Sequence, residues 1–518
     1  MSADAVASTA RGERPGVRYA TPQGRWVLLA CVLGSGVAFL DSTIVNVALP
    51  RIGEEFGAGL TSLQWVVNAY TLTLSGLLLL GGSLGDRSGR RRVFVIGVVW
   101  FALASVLCGA ALNAPMLIAA RALQGVGAAL LTPGSLAIIE AVYVQEDRSR
   151  AVGAWSGLGG AATAIGPFLG GWLVDAVSWR LAFLINLPLA ALVVFVAVRH
   201  IPETRDPNAA ARLDWTGATL AALGLAGVVY ALTEGPGAGW TSTVILVTGL
   251  GGLATLVAFV VVERTSSHPM LPLGIFSSRQ FTSANLVTFV VYGALGGALF
   301  LLPIQLQRVL GYSALESGVA LLPITLLMLL LSARAGQLAQ KVGPRLPMTL
   351  GPIVVGLGFV LLTRVGPGST YLTDLLPALI VFGLGLALTV APLTSTVLAA
   401  ASVERAGIAS AVNNDVARVA GLIAVAALPV AAGLSGAGAL EPAAFSDGFR
   451  TAALIAASLC VMGGLLAFGT IRRQAPAPVA EEAGGSGEAP CFHCGVSAPP
   501  PRVHGAARPV AAGPAGPT

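Results

Sequence analysis

Charge is what this chain most lacks. Only 10% of its 518 residues are Asp, Glu, Lys or Arg, where soluble domains carry about 25%. With 55% hydrophobic residues and a mean hydropathy of +0.81, it holds more apolar surface than one water-soluble core could hide. That excludes a soluble globular protein and points to lipid as the solvent. Cysteine is scarce too. Cys31, Cys108 and Cys460 lie inside apolar segments, Cys491 and Cys494 lie near the C-terminus, and no pair suggests an extracellular disulfide. The four His residues (His200, His268, His493 and His504) fall in loops or the tail, which argues against a buried metal centre. Cys491-Phe-His-Cys494 lacks further ligands at workable spacing. There is no HExxH and no Walker A sequence. Gly157-Leu-Gly-Gly-Ala-Ala162 fits a loose dinucleotide fingerprint, but no strand precedes it. An enzyme is therefore the least expected class, and no metal or other cofactor is expected.

What is present is apolar length. A bilayer span needs about 20 mostly apolar residues. Candidates fall at 26–49, 62–84, 93–112, 116–139, 150–176, 180–198, 215–234, 241–263, 281–303, 314–333, 346–364, 373–399, 406–433 and 449–470. Each must satisfy its backbone hydrogen bonds internally, so each is expected to be helical. The expected fold is an all-α integral membrane protein of about fourteen helices. Residues 1–25 read as a cytoplasmic tail, with Arg11, Arg14, Arg18 and Arg25 ahead of a full-length span at Trp26 and no cleaved leader. The tail from 471 to 518, rich in Pro, Ala, Gly and Glu, is expected to be disordered.

The net charge of +6 is not a nucleic-acid signal. Its cations sit between spans and follow the positive-inside pattern. With the N-terminus in the cytoplasm, inside segments hold Arg87, Arg90, Arg91, Arg92, Arg148, Arg150, Arg199, Arg205, Arg212, Arg264, Arg279, Arg334, Lys341, Arg345 and Arg405. Outside segments hold only Arg51, Arg180, Arg308, Arg364 and Arg450. Both termini are then cytoplasmic. The preference for Arg over Lys and the wealth of Ala, Gly and Pro suggest a GC-rich bacterial source. An internal repeat relates Gly82-Ser-Leu-Gly-Asp-Arg-Ser-Gly-Arg-Arg91 to Gly336-Gln-Leu-Ala-Gln-Lys-Val-Gly-Pro-Arg345. It implies two six-helix bundles, 26–198 and 281–470, with two extra helices in a linker at 199–280. Parallel repeats of this kind occur in transporters.

A few polar residues stand inside the apolar runs. Asp41 is a carboxylate in the first span, where a charge costs at least about 2.5–3.5 kcal/mol. Arg121 in the fourth span is the other misplaced charge. Taking the first helix to end near Leu49, Asp41 lies about 12 Å deep, with Arg121 at about 8 Å and Gln124 at about 12 Å. A carboxylate, a guanidinium and an amide at similar depth suit a proton-coupled site, or a purely structural ion pair. Asp415 and Arg418 share one face of the thirteenth helix. They are expected either to neutralise each other or to serve as a second polar site beside Asn413 and Asn414. Glu140 and Asp175 read as interfacial. Gly82 and Gly89 permit a tight turn around Asp86, Arg87, Arg90 and Arg91, and Asp86 is placed to meet a helix N-terminus or an Arg. Pro167 kinks the fifth helix, while Gly166, Gly170 and Gly171 admit a close neighbour.

Taken together, these segments resemble the major facilitator superfamily, and within it the fourteen-helix drug:proton antiporters. The resemblance rests on five motifs in order. They are Leu40-Asp-Ser-Thr-Ile-Val-Asn-Val-Ala-Leu-Pro50, Gly82 to Arg92, Arg121-Ala-Leu-Gln-Gly-Val-Gly127, Gly166-Pro-Phe-Leu-Gly-Gly171, and Trp179-Arg180 with Phe183, Asn186 and Pro188. It implies proton coupling at Asp41 and Arg121, and a cytoplasmic gate at Gly82, Asp86, Arg87, Gly89, Arg90 and Arg91. It also implies an antiporter motif at Gly166, Pro167, Gly170 and Gly171. A substrate cavity between the halves would draw on Asn46, Gln124, Asn413, Asn414, Asp415 and Arg418. The implied activity is export of amphipathic or cationic small molecules, driven by the proton gradient with no cofactor, across a bacterial cytoplasmic membrane. Members that handle dications carry an extra carboxylate in the tenth helix, and none occurs here between Glu316 and Arg334. The alternatives are an uptake permease on the same scaffold and a non-transporting membrane sensor. The oligomeric state is not set by the sequence, and a monomer is compatible with it.

Overall fold

The computed structural model describes residues 16–472 except 208, 210–212, 267, 401–405 and 437. The expectations for the C-terminal thiols and His residues, and for Arg11, Arg14, Arg212 and Arg405, lie outside the described residues. Among the described residues no strand forms, and an isolated bridge pairs Val17 with Tyr143.

Among the described residues, fourteen helices are long and apolar enough to cross a bilayer. They are α1 (Pro22–Phe56), α2 (Leu60–Ser88), α3 (Arg90–Gly109), α4 (Ala114–Val142), α5 (Gln145–Ala176), α6 (Leu181–His200) and α7 (Trp215–Ala238). The series continues with α8 (Thr243–Thr265), α9 (Arg279–Val309), α10 (Ala314–Val342), α11 (Arg345–Leu362), α12 (Tyr371–Ala399), α13 (Gly407–Ala431) and α14 (Pro442–Thr470). Local chemistry sets their ends. Thr21, Asn113, Ser242 and Ser278 cap helix N-termini through their side chains. Ser313 and Glu316 form a capping box at the start of α10, satisfying two backbone N–H groups reciprocally.

One boundary departs from the sequence reading. The apolar run places the end of the first span near Leu49, yet α1 runs on to Phe56 with Pro50 buried inside it. The carbonyl of Val47, beside the gap that proline leaves, accepts from the Gln307 side chain at 2.9 Å. Asp41 consequently lies further from the end of α1 than a helix ending at Leu49 would place it.

The packing repeats eight helices on. In the first bundle α2 and α3 pack on α4, and α1 packs on α5 and α6; in the second, α10 and α11 pack on α12, and α9 packs on α13 and α14. Lipid gives no hydrophobic drive between helices, so close fit holds them. A methyl on Gly127 would lie 2.6 Å from the Phe101 backbone nitrogen, and one on Gly358 would lie 2.8 Å from Phe382 Cα. Helices α7 and α8 pair with each other, and α7 also packs on α2 and α13.

Several polar links join the two bundles on the side away from the chain ends. Gln64 of α2 donates to the carbonyl of Val425 at 2.7 Å. Arg308 meets Glu54 at 3.6 Å. Asp175, at the end of α5, accepts from the backbone nitrogens of Ala314 and Leu315 at 3.2 and 2.7 Å. Asp175 is thus at a helix end, as its position suggested, and it also caps a helix of the other bundle. On the side of the chain ends, a methyl on Gly407 would lie 3.4 Å from Glu140 Oε2.

Candidate functional site

Four helices of the first bundle converge on Asp41. Arg121 Nη1 lies 2.6 Å from Asp41 Oδ2. Gln124 Nε2 donates to Oδ1 at 2.8 Å, and Asn186 Nδ2 donates to the same oxygen at 2.9 Å. Ser105 Oγ accepts from Gln124 at 2.9 Å and from Asn186 at 3.3 Å. Arg121 Nε reaches the carbonyl of Val66 at 3.1 Å, and its guanidinium carbon stands 4.2 Å from the centroid of the Tyr70 ring. Asp41, Gln124, Asn186 and Ser105 have no exposed surface, and Arg121 is 1% exposed.

Local sequence explains the geometry. Arg121 and Gln124 are three apart on α4, so both point to one side. Asn186 sits in the second turn of α6, where the backbone stays helical through Ile185 (φ −60°, ψ −24°), and Pro188 leaves the Leu184 carbonyl without its helical donor. A buried ion pair is stable only when its spare donors and acceptors are also met. Here three donors converge on one carboxylate, and the guanidinium fork is shared between Asp41, Gln124 and a backbone carbonyl.

The antiporter motif lies between this helix and the other bundle. A methyl on Gly166 would strike Thr43, and one on Gly170 would lie 3.0 Å from Ile44 Cα, so α5 rides directly on the turn of α1 that follows Asp41. On its other side, a methyl on Gly171 would lie 2.6 Å from Leu315 Cα, and Gly318 abuts the Pro167 carbonyl. One short stretch of α5 therefore touches both the Asp41 helix and α10.

At the loop after α2, Asp86 pairs with Arg90 at 2.7 Å. The N-terminus of α3 is instead occupied by Glu203, which accepts from the backbone nitrogens of Arg91 and Arg92 at 3.1 and 3.2 Å. Gly89 has φ 116°, in the region that favours glycine, and a methyl there would lie 2.7 Å from Glu203 Oε1. Arg91 also donates to the Ile201 carbonyl at 3.0 Å.

The remaining cavity candidates are not drawn together. Asn413 donates to Asn285 and Thr288 of α9 at 3.1 and 2.8 Å, within its own bundle. Asn414 is exposed and donates to Ser410. Asn46 Oδ1 is buried without a partner. Asp415 and Arg418 stand within electrostatic reach of each other. Among the described residues they form no ion pair within 4.0 Å, and Asp415 Oδ1 is buried and unpartnered. Arg418 also lies within electrostatic reach of Tyr70 across the bundles. The sequence reading gave no role to Ser105, Tyr70 or Glu203, and it placed Asn186 only within a motif.

Residues 31–426 match the family model of the Major Facilitator Superfamily. The chain is 38% identical over 411 residues to the puromycin resistance protein pur8 of Streptomyces alboniger, covering 79% of this chain and 81% of that one. It is 36% identical over 402 residues to the multidrug resistance protein Stp of Mycobacterium tuberculosis, covering 77% and 74%. It is 34% identical over 446 residues to the cephamycin export protein CmcT of Amycolatopsis lactamdurans, covering 85% and 92%. The crystal structure of a bacterial homolog of the human lysosomal transporter Spinster superposes with a TM-score of 0.62 at 17% identity, over 88% of this chain and all of that one. The shared fold, the matched family model and these relatives place the chain in the major facilitator superfamily.

Proposed function

We propose that this protein is a proton-coupled antiporter that exports amphipathic small molecules, drugs or antibiotics, across a bacterial cytoplasmic membrane, with both chain ends in the cytoplasm. Relatives named for puromycin, multidrug and cephamycin resistance or export support the cargo class. The concentration of Arg and Lys on the side of the chain ends supports the orientation. The reading is one of transport rather than catalysis.

The observation that carries the coupling is the sealed Asp41–Arg121 pair, 2.6 Å apart. With Asp41 ionised, the charges in the chamber cancel, and the carboxylate accepts from Arg121, Gln124 and Asn186. A proton on Asp41 cancels the carboxylate and leaves the guanidinium uncompensated in a low-dielectric site, which is strongly destabilising. It also sets an acid hydrogen against the amide donors of Gln124 and Asn186. The chamber must then rearrange, and the turn Leu40–Ile44 is packed directly on the α5 glycines that abut α10. The link from proton to outer contact is two helices long. Asp415, with its free oxygen at the bundle interface, is a candidate anchor for cationic cargo, and Gln124 and Asn46 are candidates on the opposite wall.

Everted membrane vesicles test the direction. An acid interior drives accumulation of ethidium, a lipophilic cation, if the protein is an exporter. Accumulation that requires an alkaline interior would reassign it as an uptake permease.

A further inference from the structure

Helices α7 and α8 have no counterpart in the eight-helix repeat, and they take no part in the Asp41 chamber. α7 lies along the seam between α2 and α13. It is tied to α2 at two levels. Ala222 packs on Gly76, where a methyl would lie 2.9 Å from Ala222 Cβ. Trp65 Nε1 donates to Glu234 Oε1 at 2.7 Å. Its contact with α13 is purely apolar, Val229 against Leu422 and Ala426. α8 packs on α7 and turns Leu246, Val247, Leu250, Val257 and Val261 outward.

The face that α2 turns to α13 under this cover is polar. Gln64 reaches the α13 carbonyls, and Asn68 and Ser75 follow on the same helical face at i+4 and i+11. Asn68 is fully buried and Ser75 is 4% exposed. Both atoms of the Asn68 amide and the Ser75 hydroxyl lack a protein partner, as does Asp415 Oδ1 on α13. Buried polar groups of this kind are normally met by water, and hydrocarbon cannot replace it.

We propose that the α7–α8 hairpin is a lateral shutter carried by the first bundle. It keeps lipid off a hydrated α2–α13 seam and slides over α13 when the outer ends of the bundles part. This rests on the proton-coupled antiport reading above. The chemistry decides which contact gives way. Val229 leaving Leu422 exchanges one apolar neighbour for lipid tails of equal polarity. Leaving α2 would break the Trp65–Glu234 hydrogen bond as well as the Ala222–Gly76 contact. The hairpin therefore stays with α2.

Two cysteine pairs in a cysteine-free full-length protein test this, each bridged by a short bifunctional methanethiosulfonate that a reductant removes. Val229→Cys with Ala426→Cys bridges α7 to α13. Leu232→Cys with Leu72→Cys bridges α7 to α2 within the same apolar cluster. Ethidium efflux is one readout. The other needs no substrate: labelling of a Gln307→Cys thiol by an impermeant maleimide added outside, which follows opening of the outer ends. The α7–α13 bridge is expected to lower both readouts at least tenfold, with recovery on reduction, and the α7–α2 bridge to leave both within twofold of the unbridged protein. Normal labelling with the α7–α13 bridge in place, failure of that pair to bridge, or a block by the α7–α2 bridge would overturn the shutter. If labelling follows the expected pattern while ethidium is not moved at all, the shutter stands and the efflux reading falls.

Discussion

Asn186 Nδ2 stands 2.9 Å from Asp41 Oδ1, so a neutral amide from α6 shares the carboxylate with Gln124 of α4. A hydrogen bond to a charged group is worth about 1.5–3 kcal/mol. Asn186→Ala is therefore expected to lower proton-driven efflux about 10–100-fold at normal expression, measured as initial rates in vesicles. Wild-type rates would show that the amide does not hold Asp41 in its working position.

Arg121 uses the planar fork of its guanidinium, which a lysine cannot reproduce. Arg121→Lys keeps the charge but cannot reach Asp41, Gln124 and the Val66 carbonyl together. We expect efflux to fall at least about tenfold, since geometry as well as charge is lost. Arg121→Leu leaves a buried carboxylate alone, at a cost of about 3–5 kcal/mol, read as a lower midpoint of thermal unfolding in detergent. Adding Asp41→Asn removes the orphan charge. It is expected to recover much of that stability while transport stays absent. A double variant as unstable as Arg121→Leu would mean that the two residues are not energetically paired.

Gly171 leaves no room for a side chain between α5 and α10. Gly171→Val is expected to hold the outer ends of the bundles apart. External labelling of Gln307→Cys should then rise and efflux should fall. Unchanged labelling would remove the antiporter motif from the outer contact.

Gly89 combines φ 116° with a Glu203 carboxylate oxygen 2.7 Å from any added methyl. Gly89→Ala should destabilise the loop by about 1–3 kcal/mol, the usual cost of a strained backbone position. Glu203→Ala should act through the lost cap on α3, at about 0.5–2 kcal/mol. Thermal unfolding of both variants checks this, and a stable Gly89→Ala protein would contradict it.

The fourteen spans were legible because an apolar run of bilayer length has one backbone solution. Asp41 and Arg121 were legible for the opposite reason, since charges in such runs are costly and few. Asn186, Ser105 and Tyr70 carry no such signature. An Asn, a Ser or a Tyr within an apolar helix looks the same whether it faces a carboxylate or a carbonyl, and only the meeting of four helices tells them apart. Asp415 and Arg418 share a face by their spacing, but offset alone fixes no side-chain distance: they interact without a direct ion pair among the described residues.

The central claim is that Asp41 carries the exchanged proton. Purified protein in liposomes, loaded with a pH dye and given ethidium on one side, reads proton flux directly. The account predicts that an ethidium gradient drives counter-movement of protons through the wild type, and that Asp41→Asn abolishes this flux at normal insertion and stability. Ethidium-driven proton flux that persists in Asp41→Asn would contradict it.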